Sequence, residues 1–122
     1  MHLNYLDFDI SDEESGRASF DAMASVLTDR LPGLLAEIAA VLRWAFATFG
    51  PAGSLDGDGD WDFDLQGAIE PDIPLEVTYD ARTAEVFLRP AALGSARTTL
   101  TLTVCGSPAF CEAFRARFEV DG

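Results

Sequence analysis

The chain has 122 residues and a net charge of −13, with 21 Asp and Glu set against eight basic side chains, all arginine. Hydrophobic residues at 48% and charged residues at 24% exclude a disordered chain and fit one globular domain spanning 1–122. The charge excludes a general nucleic-acid binder, since phosphates would be repelled, and favours basic proteins or cations as partners.

The elements follow in chain order. A first strand is predicted over about His2 to Ile10, with Leu6, Phe8 and Ile10 on one face and Tyr5, Asp7 and Asp9 on the other. The polar segment Ser11 to Gly16 reads as a hairpin loop. A second strand runs about Arg17 to Val26. Its alanines are poor strand formers, so a helix competes here, but the polar residues alternate and favour the strand. The main helix is predicted over Asp29 to Phe49, with Asp29 as a cap and Pro32 in the first turn, where a missing N–H costs nothing. Leu31, Leu34, Leu35, Ile38, Val41, Leu42, Ala45 and Phe49 form its broad apolar face. Gly33, Ala36, Ala40 and Ala47 form an uncharged back, with Trp44 at its margin; it reads as a plain surface or as a contact to the last helix or a second copy. Gly50 and Pro51 stop the helix.

In Ser54 to Glu70, aspartates fall at every second position from Asp56 to Asp64, and from Asp60 onward Trp61, Phe63 and Leu65 fill the gaps. That alternation predicts a half-buried strand. Ile69 to Pro74 reads as a turn, because two prolines in four residues oppose regular pairing. Two further strands, around Leu75–Tyr79 and Ala84–Leu88, flank a tight loop at Asp80 to Thr83. A sixth alternates Thr99, Thr101 and Thr103 with Leu100, Leu102 and Val104. Ser107 and Pro108 launch a last helix with Phe110, Phe114 and Phe118 on one side and Arg115 and Arg117 near its C-terminal end.

The resulting order is ββαββββα. It predicts an α+β two-layer sandwich: a mostly antiparallel sheet of about six strands with two helices on one face. The short loops further predict that strands three to six form a meander. The acidic N-terminus has neither a basic region nor an apolar core of the kind a signal peptide needs. The longest apolar run is broken by Arg43 and reads as too short to span a membrane. The expectation is therefore a cytoplasmic protein, with Cys105 and Cys111 reduced.

Several chemistries fail on spacing. Asp56, Asp58 and Asp60 match positions one, three and five of a calcium loop, but Trp61 stands where the loop needs glycine and Gly67 where it needs a bidentate glutamate. Cys105 and Cys111, with five residues between them, fit neither a redox nor a zinc pattern; both read as small core residues, with Cys111 near enough to a helix N-terminus for a lowered pKa. His2 is the only histidine, so serine and cysteine triads lack their usual base. The aspartates look alike and solvated, unlike an acid–base pair. The glycine-rich loop GPAGSLDGDGD matches no phosphate-binding fingerprint. No metal or cofactor is expected.

What remains is the uncovered face of the sheet. Parity assigns to it Asp7, Asp9, Asp21, Asp60, Asp62, Asp64, Glu76 and Glu85, opposed by Arg89 and Arg97. Like charges on neighbouring strands cost stability. The face reads either as a soluble acidic surface or as a docking site for a basic protein. The stretches YLDFD, GRASFDAMASV, DWDFDLQG and GSPAFCEAFRARF resemble a family of small bacterial proteins without an assigned activity, over Tyr5 to Phe118. Some members carry a 6-phosphogluconate dehydrogenase label, which these residues do not support: there is no dinucleotide fingerprint and no βαβ unit at the start. The resemblance implies no site residues. The expected function is a non-catalytic module of immunity, inhibitor or nucleic-acid-mimic type, monomeric or homodimeric. The competing expectation is a small enzyme or ligand carrier with a pocket between sheet and helices.

Overall fold

Alternation of apolar and polar residues writes most of this fold, and five of the six strands lie mainly in the stretches where it predicts them. A computed structural model describes residues 2–53, 59–69, 73–89 and 97–120. In chain order these form β1 (Asp9–Asp12), β2 (Ala18–Leu27), a 3-10 turn (Thr28–Arg30), α1 (Leu31–Phe49), β3 (Trp61–Ile69), β4 (Ile73–Asp80), β5 (Glu85–Arg89), β6 (Arg97–Gly106) and α2 (Pro108–Phe118). The six strands make one sheet in the order β1-β2-β6-β3-β4-β5, every neighbouring pair antiparallel. The protein is an α+β sandwich in the order ββαββββα.

The meander is shorter than expected. It covers β3, β4 and β5, and β6 then returns to the middle of the sheet between β2 and β3. The reason lies in β6 itself. Thr98, Leu100, Leu102 and Val104 are all fully buried, and the strand pairs over its whole length with β2 and from Thr98 to Gly106 with β3. A central position satisfies the backbone of this strand, whose inward side chains are fully buried, on both edges. β2 and β3 then run parallel to each other on either side of it, joined by the crossover through α1, which is the kind of connection parallel strands require.

β2 is a strand and not a helix: its burial alternates from Ala18 to Leu27, with Ala18, Phe20, Ala22, Ala24 and Val26 facing inward. β1 is only four residues long. The segment before it, predicted as strand from His2, lies outside the sheet. Pro74 does not terminate pairing. It sits in β4 opposite Ala68, and Ile73 faces Ile69, a place near a strand end where a missing N–H is tolerated.

α1 begins differently from the prediction. Arg30 occupies the cap position without a side-chain cap, and Asp29 lies in the preceding 3-10 turn and caps nothing. At the other end Gly50 takes φ 80° and ψ −160°, open chiefly to glycine, and donates its N–H to Phe46 O at 3.0 Å. Thr28–Phe49 spans 22 residues with a mean hydropathy of 1.3, so by length and composition it could cross a membrane, contrary to the sequence expectation. In this fold it is the core helix: Leu31, Leu34, Ile38, Val41, Leu42 and Ala45 are buried against the sheet.

The core is an aromatic stack between sheet and helices. Trp61 and Phe110 are fully buried and stacked, their ring centroids 5.6 Å apart and their planes nearly parallel at 2°. Phe20 meets Phe114 at 4.5 Å, and Trp44 of α1 contacts Phe110, Phe114 and Phe118 of α2. The Trp61 indole donates to Gly50 O at 3.0 Å, so its polar edge is satisfied. α2 starts as predicted, with Ser107 Oγ accepting from Phe110 N at 3.3 Å and Pro108 next. The uncharged back of α1 divides. Ala36 and Ala47 are exposed, whereas Gly33 lies under the Tyr5 ring, so part of it is covered by the chain's own N-terminus.

Candidate docking face

Because both helices lie on one side, the alternate residues of every strand point to a face that nothing among the described residues covers. The register places these residues in rows across the strands. Asp9 lies opposite Asp21, Asp21 opposite Thr103, and Thr103 opposite Asp64. The next row runs Ser11, Ser19, Cys105, Asp62; on the other side comes Met23, Thr101, Gln66. With neighbouring strands about 4.8 Å apart, the row from Asp9 to Asp64 spans about 14 Å.

The carboxylates are held by short local contacts. Thr103 Oγ1 donates to Asp21 Oδ1 at 2.7 Å, and Gln66 Nε2 donates to Asp64 Oδ2 at 2.9 Å. Asp62 Oδ1 accepts from Phe63 N at 2.9 Å, an N–H on the edge of β3 beyond its short pairing with β4. Below the acidic rows, Thr99 Oγ1 donates to Ser25 Oγ at 3.1 Å and Arg97 to Ser25 O at 3.0 Å. Met23 stands in the open at 71% exposure, and Leu27 and Phe87 are also exposed on this side.

Of the eight acidic residues predicted for this face, the structure brings Asp9, Asp21, Asp62 and Asp64 into one patch. Asp60 is exposed just before β3, and its carbonyl accepts from Ser107 N at 2.8 Å. Glu76 and Glu85 share the face but lie on the outer hairpin, opposite Arg89 and Asp80 respectively. Asp80 is tied to Arg82 and held below the ordinary carboxylate range, first by the Arg82 backbone N–H and then by its side chain. Asp7 is outside the sheet, beside a cleft at the end of α2. Asp56 and Asp58 lie outside the described residues.

The cysteines split between the two layers. Cys111 is buried on the inner side of α2, whereas Cys105 is half-buried in the acidic rows and is no core residue. Burial pushes both thiols up, and for Cys105 the Asp62 carboxylate adds to it. The lowered pKa expected for Cys111 from its place near a helix start is therefore reversed: loss of solvent outweighs the helix end. Sequence reasoning gave a role to neither Thr103 nor Glu37. Thr103 was legible as a polar-face residue, but its partner was not, because the central placement of β6 is a long-range fact. Glu37 is buried on α1 and binds the N-terminal segment; a lone charge flanked by apolar residues was its only signal.

Among the described residues, no group of three or more His, Cys, Asp or Glu side chains is arranged to hold a metal ion. The clefts found lie at the margins of the fold, such as one of about 460 Å³ between Arg43, Phe46 and Ala47 of α1 and the β4–β5 turn. Comparison with known proteins finds no matching family model, no matching curated protein and no matching solved structure. The resemblance in the sequence phrases thus has no family model behind it, and no residue role is carried over.

Proposed function

We propose that this protein is a non-catalytic cytoplasmic binding module that docks a basic protein on its open sheet face, as an immunity protein, an inhibitor or a mimic of nucleic-acid charge would. The observation that carries this reading is the row Asp9, Asp21, Thr103, Asp64, with the Met23 side chain exposed in the row beside it. A patch of like charge speeds encounter with an opposite one and repels wrong partners, while an exposed apolar side chain at its margin gives a desolvated contact. The same charge disfavours pairing of two copies through this face. An enzyme with a pocket between sheet and helices has less support, because the large side chains of Trp61, Phe20, Phe110 and Phe114 occupy that layer and are fully buried in it.

The test is capture from a cytoplasmic lysate at low salt, wild type beside an Asp62→Asn/Asp64→Asn double variant. A basic protein retained by the wild type, released as salt rises, and weakened by about tenfold or more in the double variant is the expected result. Retention of nothing, or equal retention by both proteins, overturns the reading.

A further inference from the structure

We propose that residues 2–8 form a releasable strap over the seam between α1 and α2, with Glu37 as its catch. This inference is independent of the docking face. The segment precedes β1 and belongs to no helix or strand, and among the described residues its backbone makes no backbone–backbone hydrogen bond. Its polar ties run instead to one side chain. Glu37 Oε2 accepts from Asn4 N at 2.6 Å, and Oε1 accepts from Tyr5 N at 2.9 Å and Leu6 N at 3.1 Å. Glu37 lies in the middle of α1 and is only 8% exposed.

The remaining ties are apolar. Leu6 and Phe8 are buried, and Phe8 meets Phe114 edge-on at 5.1 Å. Tyr5 lies flat enough on α1 that a Cβ at position 33 would come within 2.9 Å of its ring, so Gly33 is the seat that lets the strap lie down. Alongside runs a cleft of about 230 Å³ between the strap and the end of α2, lined by His2, Leu6, Asp7, Phe118, Glu119 and others. The strap is thus held at three consecutive amides by one carboxylate, and a cleft flanks it at the C-terminal end of α2.

Glu37 here is a positioning residue. Hydrogen bonds to a charged acceptor are stronger than neutral ones, and all three end on the same group. Losing that group loosens the three amides together while the sheet stays paired. Release would lift Phe8 from Phe114 and Leu6 out of the core, and bare the seam between the helices.

The test is amide hydrogen exchange on the full chain, comparing wild type, Glu37→Gln and Gly33→Ala. Glu37→Gln is expected to speed exchange at Asn4, Tyr5 and Leu6 by about tenfold or more, leaving the amides of β6 and the core of α1 unchanged. Gly33→Ala pushes Tyr5 off its seat with the carboxylate intact, and should loosen the same three amides. If these amides exchange no faster in either variant, or if the whole core speeds up in step with them, residues 2–8 are not a separate unit and the proposal falls.

Discussion

Phe20 and Asp21 are neighbours in β2 and point in opposite directions, one into the aromatic layer and the other into the acidic rows. Most inward residues of the central strands are closed off from solvent: Phe20, Trp61, Leu100, Leu102 and Val104 are fully buried, and Phe63 and Leu65 half-buried. The outward residues of the same strands are mostly Ser, Thr and Asp, joined by Gln66, Ala68, Arg97, the half-buried Cys105 and the exposed Met23 and Leu27. Both faces hang on the same backbone ladder. Apolar burial contributes about 25 cal/mol for each Å² removed from water, so most of the stability belongs to the inner face. The outer face is held by hydrogen bonds between partly solvated groups, each contributing about 1 kcal/mol or less. Its composition is therefore free to serve something other than folding.

The largest effect should come from emptying the inner layer. Phe110→Ala removes the ring stacked on Trp61 and filling the space over Gly106, where no Cβ would fit beside it. The expected loss is about 3–5 kcal/mol, read as a drop in urea midpoint. A loss below about 1 kcal/mol would mean that the aromatic layer is not where stability resides. A smaller contrast lies in the thiols. Cys105 on the outer face should react with iodoacetamide at least about tenfold faster than Cys111, a difference of about 1.4 kcal/mol in barrier. Both should react more slowly than an exposed thiol, since burial raises both pKa values. The linkage has a definite sign. A raised folded-state pKa favours the protonated thiol, so this contribution is complete below the ordinary thiol range and is lost as pH rises through the folded-state values. Equal rates for the two thiols would erase the distinction between the faces at this position.

The inner face was far more legible than the outer. Alternation alone assigned Phe20, Trp61, Leu100, Leu102 and Val104 to the core, because a strand has only two sides and the apolar set marks one of them. Order along the chain could not say that β6 returns between β2 and β3. Without that, the row joining Asp21 to Asp64 through Thr103 could not be drawn. Short-range rules also failed at the edges of elements. Pro74 was read as a breaker and is a paired residue; Asp29 was read as a cap and is not. In both cases tertiary placement decided against local propensity. Tyr5 to Phe8 kept strand-like alternation because Leu6 and Phe8 are buried, but they pack on the helices instead of pairing in the sheet.

The smallest expected effect is the most pointed test of the outer face. Asp21 lies directly opposite Asp9 and accepts from Thr103 Oγ1 at 2.7 Å. Asp21→Asn keeps an acceptor for that hydroxyl and removes the like-charge pair. Relief of repulsion between opposite residues is worth about 0.2–1 kcal/mol, and a weaker neutral hydrogen bond offsets part of it. Stability should therefore stay within about 0.5 kcal/mol of wild type, on the neutral or favourable side. Salt should also stabilise the wild type more than the variant, because screening does for one what the substitution does for the other. Urea unfolding at low and high salt reads both quantities. A loss above about 1.5 kcal/mol would show that the fold itself requires the Asp21 carboxylate. The acidic rows would then be part of the structure's own stabilisation, and the difference between the two faces would be one of degree.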